Sequence, residues 1–318
     1  MRAICLSDSD PSSPLVEEDL PEPQAGPDEL LIRVYAAGLT PTELAWYPTT
    51  HLKTGAPRSR AVPGHEFSGV IAGMGEHISG FQLGQEVYGM NDWFAEGALA
   101  EYCLTQPACI APKPASLTHV EAASVPIGAL TAWQGLFDRA GLQAGERVLV
   151  HGASGSVGAF AVQFGYMHSA HVIATASERN LGFVSQLGAE QVIDYRSQRF
   201  EDQIGDIDVV FDTVGGETFE RSWQVLKPGG RMVTIAANAE GSADERIKQA
   251  FFIVEPNRDQ LARVADLIDA GSLRTTVDAV VPLSESPLAF AGKVTQREGR
   301  GKMVVAVAQA AQERYAHY

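Results

Sequence analysis

The chain has 318 residues, of which 45% are apolar, and a formal net charge of −15 at pH 7. This length and composition predict a globular protein of about two domains, and no run of about 18 apolar residues is present to form a transmembrane helix. The acidic surface argues against nucleic acid and anionic membranes as partners.

The N-terminal segment turns polar too early for a secretory signal peptide, which predicts a cytoplasmic protein. The three cysteines, Cys5, Cys103 and Cys109, are too few and too scattered for a disulfide framework. We expect buried or half-buried thiols at these positions.

The first 120 residues or so predict a β-rich unit, because short apolar runs alternate with Pro, Gly and Asp. Such runs are typical of short antiparallel strands in a barrel-like domain. Residues 41–46 predict one helical turn, and the Pro- and Thr-rich residues 47–62 predict a mobile loop. The predicted strands are 30–37, 68–74, 86–90 and 97–104.

The pattern changes after residue 117. Thr118 with Glu121 three residues later is typical of a helix N-cap, and Pro126 should break or kink the helical stretch that follows. Apolar strands then alternate with amphipathic helices, which predicts a parallel, doubly wound sheet. The predicted strands are 148–151, 171–175, 191–193, 209–212 and 230–235, and the predicted helices are 159–166, 178–187 and 218–226.

The end of the chain predicts a return to the first domain. Residues 227–230, Lys-Pro-Gly-Gly, are typical of a helix stop and a turn before a strand. A last helix is expected at 258–270, ending at Gly271. Strands are expected at 277–282 and 302–308, and no helices accompany them that would build further parallel units.

The strongest single motif is Ala153-x-Gly155-x-x-Gly158, which has the spacing of a dinucleotide fingerprint with Ala in the first glycine position. A strand precedes it and an apolar helix follows, as the motif requires. The pyrophosphate would lie on free N–H groups at the helix N-terminus. The alternative is an ordinary glycine turn. The expected phosphate-binding residues are Ala153, Ser154, Gly155, Ser156, Val157 and Gly158.

The end of the second strand favours NADPH over NADH. NAD sites place Asp or Glu about 20 residues past the fingerprint, where the carboxylate binds the ribose hydroxyls. Here Ser177 lies 22 residues after Gly155, and Arg179 follows it. A serine and an arginine can bind a 2′-phosphate that a carboxylate would repel. Glu178 is the objection to this assignment, and Arg179 can also be a solvated helix residue.

Two further turns are expected to line the cofactor cleft, because ligands of open α/β sheets lie beyond the carboxyl ends of the strands. These are residues 212–215 and 235–238, after the fourth and fifth strands. They make Val214 and Ala236 candidate cofactor contacts.

Short motifs along nearly the whole chain resemble the quinone oxidoreductase branch of the medium-chain dehydrogenase/reductase superfamily, of which zeta-crystallin is a member. The resemblance implies a GroES-like β-barrel catalytic domain, from residues 1–121 and 272–318, and an inserted Rossmann domain of residues 122–271. It also implies a homodimer and NADPH-dependent reduction of quinones or α,β-unsaturated carbonyls. The motifs lie at residues 63–69, 97–102, 121–124, 130–133, 150–158, 187–195, 212–216, 226–230 and 299–305.

The resemblance also implies additional cofactor contacts. Thr131 lies within the Leu-Thr-Ala-Trp motif, and Tyr195 lies close to the end of the second strand in the family pattern. Phe252 and Val254 belong to a segment that resembles the one whose backbone meets the nicotinamide amide. A plain core strand is the alternative for that segment.

Zinc dehydrogenases of the superfamily bind their catalytic zinc with Cys, His and Cys. In this chain the first position falls near residues 39–40 and the third near residues 127–128, and neither offers a ligand. His65 alone remains, and one histidine does not hold zinc where about three protein ligands are usual. We therefore predict an enzyme without a metal, in which His65 is a structural histidine or a polar group near the nicotinamide.

The predicted chemistry is hydride transfer from the nicotinamide to an electron-poor carbon of a small-molecule acceptor. The candidate catalytic residues are Thr40, Tyr47 and Glu43. Thr40 replaces a frequent Asn and is a candidate proton donor, as is Tyr47, which can equally be a surface aromatic. Solvent is the alternative proton source. Glu43 replaces a frequent Asp and is expected to orient the site. The alternatives are a zinc-type alcohol dehydrogenase and a non-enzymatic, crystallin-like NADPH-binding protein.

Overall fold

The computed structural model of the protein describes residues 1–7, 14–236, 243–295 and 297–308. Two compact units are present. The first contains residues 1–127, 256–298 and, of the final described segment, 302–308, and the second contains residues 128–255 and Gly299–Gly301.

Fourteen strands are formed by the described residues. In chain order they are β1 Arg2–Leu6, β2 Leu15–Asp19, β3 Leu30–Leu39, β4 Glu66–Met74, β5 Glu86–Met90, β6 Tyr102–Thr105, β7 Ile110–Pro112, β8 Arg147–Val150, β9 His171–Ala176, β10 Gln191–Asp194, β11 Ile207–Asp212, β12 Leu226–Thr234, β13 Val277–Pro282 and β14 Lys302–Ala306.

Nine α-helices occur in the same ranges, and none is long and apolar enough to cross a bilayer. They are α1 Tyr47–Thr50, α2 His119–Ala123, α3 Pro126–Trp133, α4 Ser156–Met167, α5 Leu181–Gln186, α6 Gly216–Ser222, α7 Glu245–Ala250, α8 Arg258–Asp269 and α9 Ser286–Phe290.

The first unit is built on a seven-stranded sheet with the order β13-β14-β3-β4-β5-β7, in which β6 pairs with β3. β14 pairs antiparallel with β3, so residues 302–306 return to the first domain, as predicted. The sequence analysis missed β1 and β2, which form a separate antiparallel pair. The unit's core is apolar and includes Leu30, Ile32, Phe67, Leu99 and Val305.

Contacts assign α8 to the first unit, so that the units divide near residues 127 and 255, whereas the predicted boundaries were 121 and 271. Tyr88 Oη donates a hydrogen bond to the Leu261 carbonyl oxygen at 2.6 Å. The Asp269 carboxylate, at the end of α8, accepts from the backbone N–H groups of Ala115 and Ser116. Periodicity reveals a helix but not the surface against which the helix packs.

The second unit is a five-stranded parallel sheet with the order β10-β9-β8-β11-β12, which confirms the predicted doubly wound sheet. Every residue of the inner strand β11 is buried. An isolated parallel bridge from Thr234 to Phe251 lies next to the end of β12. The segment that begins at Phe251 is therefore paired at one point only and is not a core strand.

One predicted turn lies inside a strand. Residues 227–230 belong to β12, whose register against β11 shifts from Ile207 opposite Leu226 to Val209 opposite Arg231. Gly229 has a φ of +79°. The Pro-Gly-Gly sequence therefore makes a bulge within β12, and α6 ends at Ser222, four residues before the predicted end.

The structure confirms the predicted helix signals at Thr118 and Pro126. Thr118 and Glu121 form a capping box, in which the Glu121 N–H donates to Thr118 Oγ1 and the Thr118 N–H donates to Glu121 Oε2. α2 ends at Ala123 and α3 begins at Pro126. Proline is tolerated at the first position of a helix, where its missing N–H would have no partner.

Candidate functional site

The turn after β8 is shaped by a glycine that the fingerprint did not include. Gly152, directly before Ala153, has a φ of +67°, a conformation that favours glycine. A Cβ on Gly152 would also lie 2.4 Å from Thr213 Oγ1. The sharp turn therefore depends on Gly152. Ala153 is fully buried, and its N–H donates to the Thr175 carbonyl oxygen of β9 at 3.1 Å.

The two glycines of the fingerprint have different surroundings. A Cβ on Gly158 would lie 2.3 Å from the Gly152 carbonyl oxygen and 2.7 Å from Ala153 Cα, so α4 packs tightly on the turn. A Cβ on Gly155 would meet only the Gly152 carbonyl oxygen, at 3.3 Å. Gly158 thus fixes the packing, whereas Gly155 leaves open space beside the helix N-terminus.

The start of α4 fits a phosphate group. Gly155 is the N-cap residue and supplies no side chain to the first turn. The first hydrogen bond of the helix runs from the Ala159 N–H to the Gly155 carbonyl oxygen, at 3.0 Å. The preceding N–H groups have no intrahelical acceptor, and the helix dipole favours an anion there. Ser154, Ser156 and Val157 are half-buried at this turn.

The end of β9 is neutral and small, as predicted. Ser177 is buried, and its carbonyl oxygen accepts from the Asn180 N–H at 2.8 Å. Glu178 and Arg179 are exposed. The Tyr195 N–H donates to the Ala176 carbonyl oxygen at 3.2 Å, while the Tyr195 side chain is 54% exposed. The structure therefore brings Ser177, Arg179 and Tyr195 together at one strand end.

The segment Gly299–Gly301 completes this region, and the sequence analysis assigned it no role. The Gly301 N–H donates to the Ser154 carbonyl oxygen at 2.8 Å. Arg300 Nε donates to Asn180 Oδ1 at 2.9 Å, and Asn180 Nδ2 donates to Ser154 Oγ at 3.1 Å. A Cβ on Gly299 would lie 2.3 Å from Arg179 Nη2. The motif at residues 299–305 was the only signal for these contacts.

A buried carboxylate organises the turn after β11. Both oxygens of Asp212 accept from the Gly215 N–H, and Oδ1 also accepts from the Val214 N–H at 3.0 Å. Thr234 Oγ1 donates to Asp212 Oδ2 at 2.8 Å. Val214 is thereby held with 55% of its surface exposed. Ala236 follows β12, whereas residues 237 and 238 of the predicted turn lie outside the described residues.

The remaining predicted cofactor residues are buried in the second unit. Thr131 lies on α3 and is 2% exposed. Phe252 and Val254 are buried on either side of Ile253, which is 48% exposed. The Gln134 side chain donates to the Glu255 carbonyl oxygen at 2.8 Å and accepts from the Glu255 N–H at 3.0 Å. This pair of bonds ties the end of the segment, at Glu255, to Gln134.

A buried histidine lies between β8 and its neighbours. His151 follows β8, and its ring nitrogens contact Thr175 Oγ1 at 3.0 Å and Ser222 Oγ at 2.9 Å. Burial, together with the positive charge of Arg221, lowers the pKa of His151 to about 3. The imidazole is therefore neutral at physiological pH and links β9 to α6.

In the first unit, Glu43 and His65 form a buried pair. His65 Nδ1 lies 2.5 Å from Glu43 Oε1, which also accepts from the Gly64 N–H at 2.7 Å. His65 Nε2 lies 3.3 Å from the Ala95 carbonyl oxygen. Both ring nitrogens thus have protein partners. Glu43 Oε2 is buried without a hydrogen-bond partner in the described part of the chain.

Thr40 is half-buried and contacts a second cluster of buried charged side chains, which sequence reasoning missed. Lys302 Nζ donates to Thr40 Oγ1 at 2.8 Å and forms an ion pair with Glu66 Oε1. Glu66 Oε2 accepts from the Ile127 N–H at 2.9 Å. Burial raises the pKa of the Glu66 carboxyl, although the charge of Lys302 acts in the opposite direction. The cluster joins residues that are 262 positions apart in the chain.

Tyr47 lies outside both clusters. It begins α1, where Pro48 is tolerated in the first turn, so the prediction of a loop throughout residues 47–62 was wrong for this helix. The Tyr47 ring stacks on His51 with a centroid distance of 4.4 Å, and 49% of the residue is exposed. Arg58 Nη1 donates to the Pro48 and Ala95 carbonyl oxygens.

Metal ligands are not grouped in the described ranges, where no cluster of three or more His, Cys, Asp or Glu side chains could hold an ion. Cys5, Cys103 and Cys109 are buried free thiols, as predicted. Burial raises the pKa of Cys103 to about 12, so this thiol stays protonated.

Comparison with known proteins identifies the family. A family model described as "Alcohol dehydrogenase GroES-like domain" matches residues 26–115, and one described as "Zinc-binding dehydrogenase" matches residues 187–305. The chain is 33% identical to the "Probable zinc-binding oxidoreductase, mitochondrial" of Arthroderma benhamiae, over 90% of this chain and 91% of that protein. The chain belongs to the medium-chain dehydrogenase/reductase superfamily.

Other members of the medium-chain superfamily narrow the activity class. The quinone oxidoreductase from Coxiella burnetii superposes with a TM-score of 0.86 at 30% identity, covering 97% of this chain and 99% of that one. The "NADPH-dependent alkenal/one oxidoreductase, chloroplastic" of Arabidopsis thaliana is 30% identical over 91% of this chain and 75% of its own length. This superfamily member is therefore an oxidoreductase with NAD(P)H-dependent relatives and the predicted GroES-like and Rossmann architecture.

Proposed function

We propose that the protein is a zinc-independent oxidoreductase that transfers a hydride from NADPH to a quinone or an α,β-unsaturated carbonyl. The observation that carries the proposal is the pairing of an uncapped helix N-terminus at Gly155 with a strand end that offers Ser177 and Arg179. The first binds a pyrophosphate, and the second suits a 2′-phosphate. The quinone and alkenal/one oxidoreductases among its relatives support the acceptor class.

The proposed cofactor site extends along the carboxyl ends of the strands. The turn of residues 153–158 holds the pyrophosphate, and Tyr195 flanks the phosphate-bearing ribose with Ser177 and Arg179. Asp212 keeps the Val214 turn in place by accepting three N–H hydrogen bonds from two residues. Toward the nicotinamide, the proposed contacts are Thr131, Val214, Ala236, Phe252 and Val254.

Bound NADPH supplies the hydride, and the protein's task is to position the acceptor, exclude water and balance the charge that develops on the acceptor's oxygen. We propose that the Thr40 hydroxyl donates a hydrogen bond to that oxygen. Glu43 does not transfer a proton in this proposal, because it is bonded to His65 and to the Gly64 N–H. It orients that segment, and Tyr47 is a peripheral contact of the acceptor.

The donor set supports the proposed zinc independence. His65 is the single histidine at the family's ligand positions, and both of its ring nitrogens have partners. A catalytic zinc needs about three protein ligands. The Arthroderma relative is called zinc-binding, which makes a zinc alcohol dehydrogenase the alternative. Metal analysis of the purified protein distinguishes the two: we expect less than about 0.1 zinc per chain, and stoichiometric zinc would reject the proposal.

The decisive assay follows NADPH oxidation with a panel of 1,4-quinones, enones and, as negative controls, the matching saturated ketones. We expect turnover with the first two classes and none with the third. If NADPH binds and no member of the panel is reduced, the protein is a non-enzymatic, crystallin-like NADPH-binding protein instead.

Assembly and compartment are part of the proposal. We propose a homodimer, which light scattering of the purified protein tests through its molar mass. We also propose a cytoplasmic location. The Arthroderma relative is named as mitochondrial, so a mitochondrial location is the alternative. Fractionation of the native cells, with the protein detected in each fraction, distinguishes these compartments.

A further inference from the structure

The Thr40 hydroxyl is held in an unusual way for a residue at the start of a helix. Thr40 is the N-cap of the 3₁₀ turn Pro41–Ala45, yet its side chain makes no capping hydrogen bond. Its Oγ1 instead accepts a hydrogen bond from Lys302 Nζ at 2.8 Å. An ammonium group donates only, so the hydroxyl hydrogen of Thr40 must point to another acceptor. In the described residues that acceptor is not a protein atom.

Lys302 itself is buried, with 5% exposure, and its counter-ion Glu66 is fully buried. A buried ion pair is costly to desolvate and adds little net stability. Stability therefore does not explain why Lys302 and Glu66 are paired here. Gly38 leaves room for the Glu66 side chain, because a Cβ on Gly38 would lie 2.5 Å from Glu66 side-chain atoms. The Ile127 N–H fixes the second Glu66 oxygen. The fold thus keeps one ammonium group next to one hydroxyl.

We infer that Lys302 is the proton source behind Thr40 and that Glu66 positions Lys302 for this role. The inference rests on the proposed function, and it adds two residues that act through Thr40. A hydrogen bond from Lys302 Nζ to Thr40 Oγ1 and an ion pair between Lys302 and Glu66 connect the three side chains. Thr40 is the catalytic residue of the three, whereas Lys302 and Glu66 are positioning residues.

Reduction of an enone would use one hydride and one proton. Bound NADPH would supply the hydride for the new C–H bond at the β-carbon and become NADP⁺, and the π electrons would move onto the carbonyl oxygen. The Thr40 O–H bond breaks as the enol O–H bond forms. One Lys302 N–H bond breaks as the Thr40 O–H bond forms again, and a proton from water restores the ammonium group. The enol then becomes the saturated ketone in solution.

The test measures kcat for an enone in Thr40→Val, in the double variant Lys302→Met with Glu66→Gln, and in the triple variant that combines them. The double variant leaves no unpaired buried charge, so that folding is preserved. Loss of a general acid costs about 100-fold or more in rate, and we expect about that loss in the first two variants. The triple variant should lose at most about threefold more, because all changes interrupt one relay.

Two controls separate a relay from a structural role. Thr40→Ser keeps the hydroxyl and should stay within about threefold of wild type. Lys113 is an equally buried lysine, with 5% side-chain exposure and an ion pair with Glu86, so Lys113→Met with Glu86→Gln should leave kcat unchanged. The NADPH dissociation constant, from its fluorescence, should change less than about twofold in every variant.

A binding measurement that needs no turnover completes the design. The probe is 4-nitrophenol, whose ionised oxygen mimics the enolate, titrated by absorbance into protein saturated with NADP⁺. We expect about tenfold weaker binding in Thr40→Val and in the double variant, and no further loss in the triple variant. The relay would be overturned if the loss in the triple variant equalled the product of the losses in Thr40→Val and in the double variant. Unchanged kcat and phenol affinity in Thr40→Val would overturn it as well. If wild type reduces no acceptor, the proposed function fails, and the phenol titration alone decides on the relay.

Discussion

The turn after β8 and the charged cluster at Thr40 handle charge in opposite ways. The turn uses backbone N–H groups of consecutive residues and carries no charged side chain between Ala153 and Gly158. The cluster uses an ammonium group and a carboxylate that come from β14 and β4. A site for a permanent anion is best made of fixed dipoles, whereas the transfer of a proton needs groups that can change their charge.

This contrast also explains how the two regions respond to change. The turn depends on the absence of side chains, and any added atom competes with the ligand or with the packing. The cluster depends on matched partners, and the loss of one partner leaves a buried charge.

Gly155→Val should abolish NADPH binding, with a loss in affinity of at least about 1,000-fold. Gly155 has a φ of −75° and a ψ of 176°, which any residue adopts, so the variant can fold. Its side chain would occupy the space beside the helix N-terminus where the pyrophosphate approaches. Titration of NADPH fluorescence measures the loss.

The matched control is Gly205→Val, because a Cβ on Gly205 meets no atom within 4 Å. It should bind NADPH like wild type. If wild type and Gly155→Val bound NADPH equally, the proposal that this turn binds the pyrophosphate would be rejected.

Arg179→Ala should weaken NADPH by about 10- to 100-fold and NADH by less than about threefold. A hydrogen bond to a charged group contributes about 1.5–3 kcal/mol. NADH has no 2′-phosphate to form this bond, so its affinity should hardly change. Dissociation constants for both cofactors in both proteins give the ratio. Arg246→Ala removes an exposed arginine of α7 and should change neither constant. A parallel fall for both cofactors would mean that Arg179 does not recognise the phosphate.

The two regions also differ in how far the sequence could predict them. Ala153, Gly155 and Gly158 lie within one local motif, whose strand and helix context is visible in the sequence. The partnership of Thr40 with Lys302 spans 262 residues and depends on the pairing of β14 with β3. Periodicity predicted both strands but not their register, and register decides which side chains meet.

The same limit explains the other misses. Gly152 was overlooked because the fingerprint begins one residue later, yet its φ of +67° makes the turn. Asn180 and Arg300 contact one another across the sequence, and no local pattern encodes such a pair. Local signals such as the Thr118 capping box were read correctly because all of their atoms come from neighbouring residues.

His151 is a buried group outside both regions. Its protonation would lower the stability of the folded protein. Its folded pKa is about 3, below the ordinary 6.5, so the unfolded chain binds a proton that the native protein does not. The stability it provides is present above pH 6.5 and is lost as the pH falls toward 3. Between pH 7 and pH 5 the free energy of unfolding should fall by about 2 kcal/mol.

Urea unfolding of wild type and His151→Gln at pH 7, 6 and 5 measures this slope. Ordinary carboxyl groups titrate lower than this window, and the raised pKa of Glu66 acts in the opposite direction, so the difference between the two proteins isolates His151. Parallel slopes in the two proteins would show that the imidazole is not the group responsible.

Tyr47→Phe should have the smallest effect, less than about threefold on kcat with an enone. The Tyr47 side chain stacks on His51 and is 49% exposed, so water can replace its hydroxyl, whereas the Thr40 hydroxyl is fixed by Lys302. Steady-state kcat and KM with the same enone measure the change, and a modest rise in KM would agree with a peripheral contact. A fall in kcat of tenfold or more would make Tyr47 the proton donor instead of Thr40. The exposed side chain of Tyr47 would then carry the proton-transfer chemistry that we assign to the Thr40 cluster.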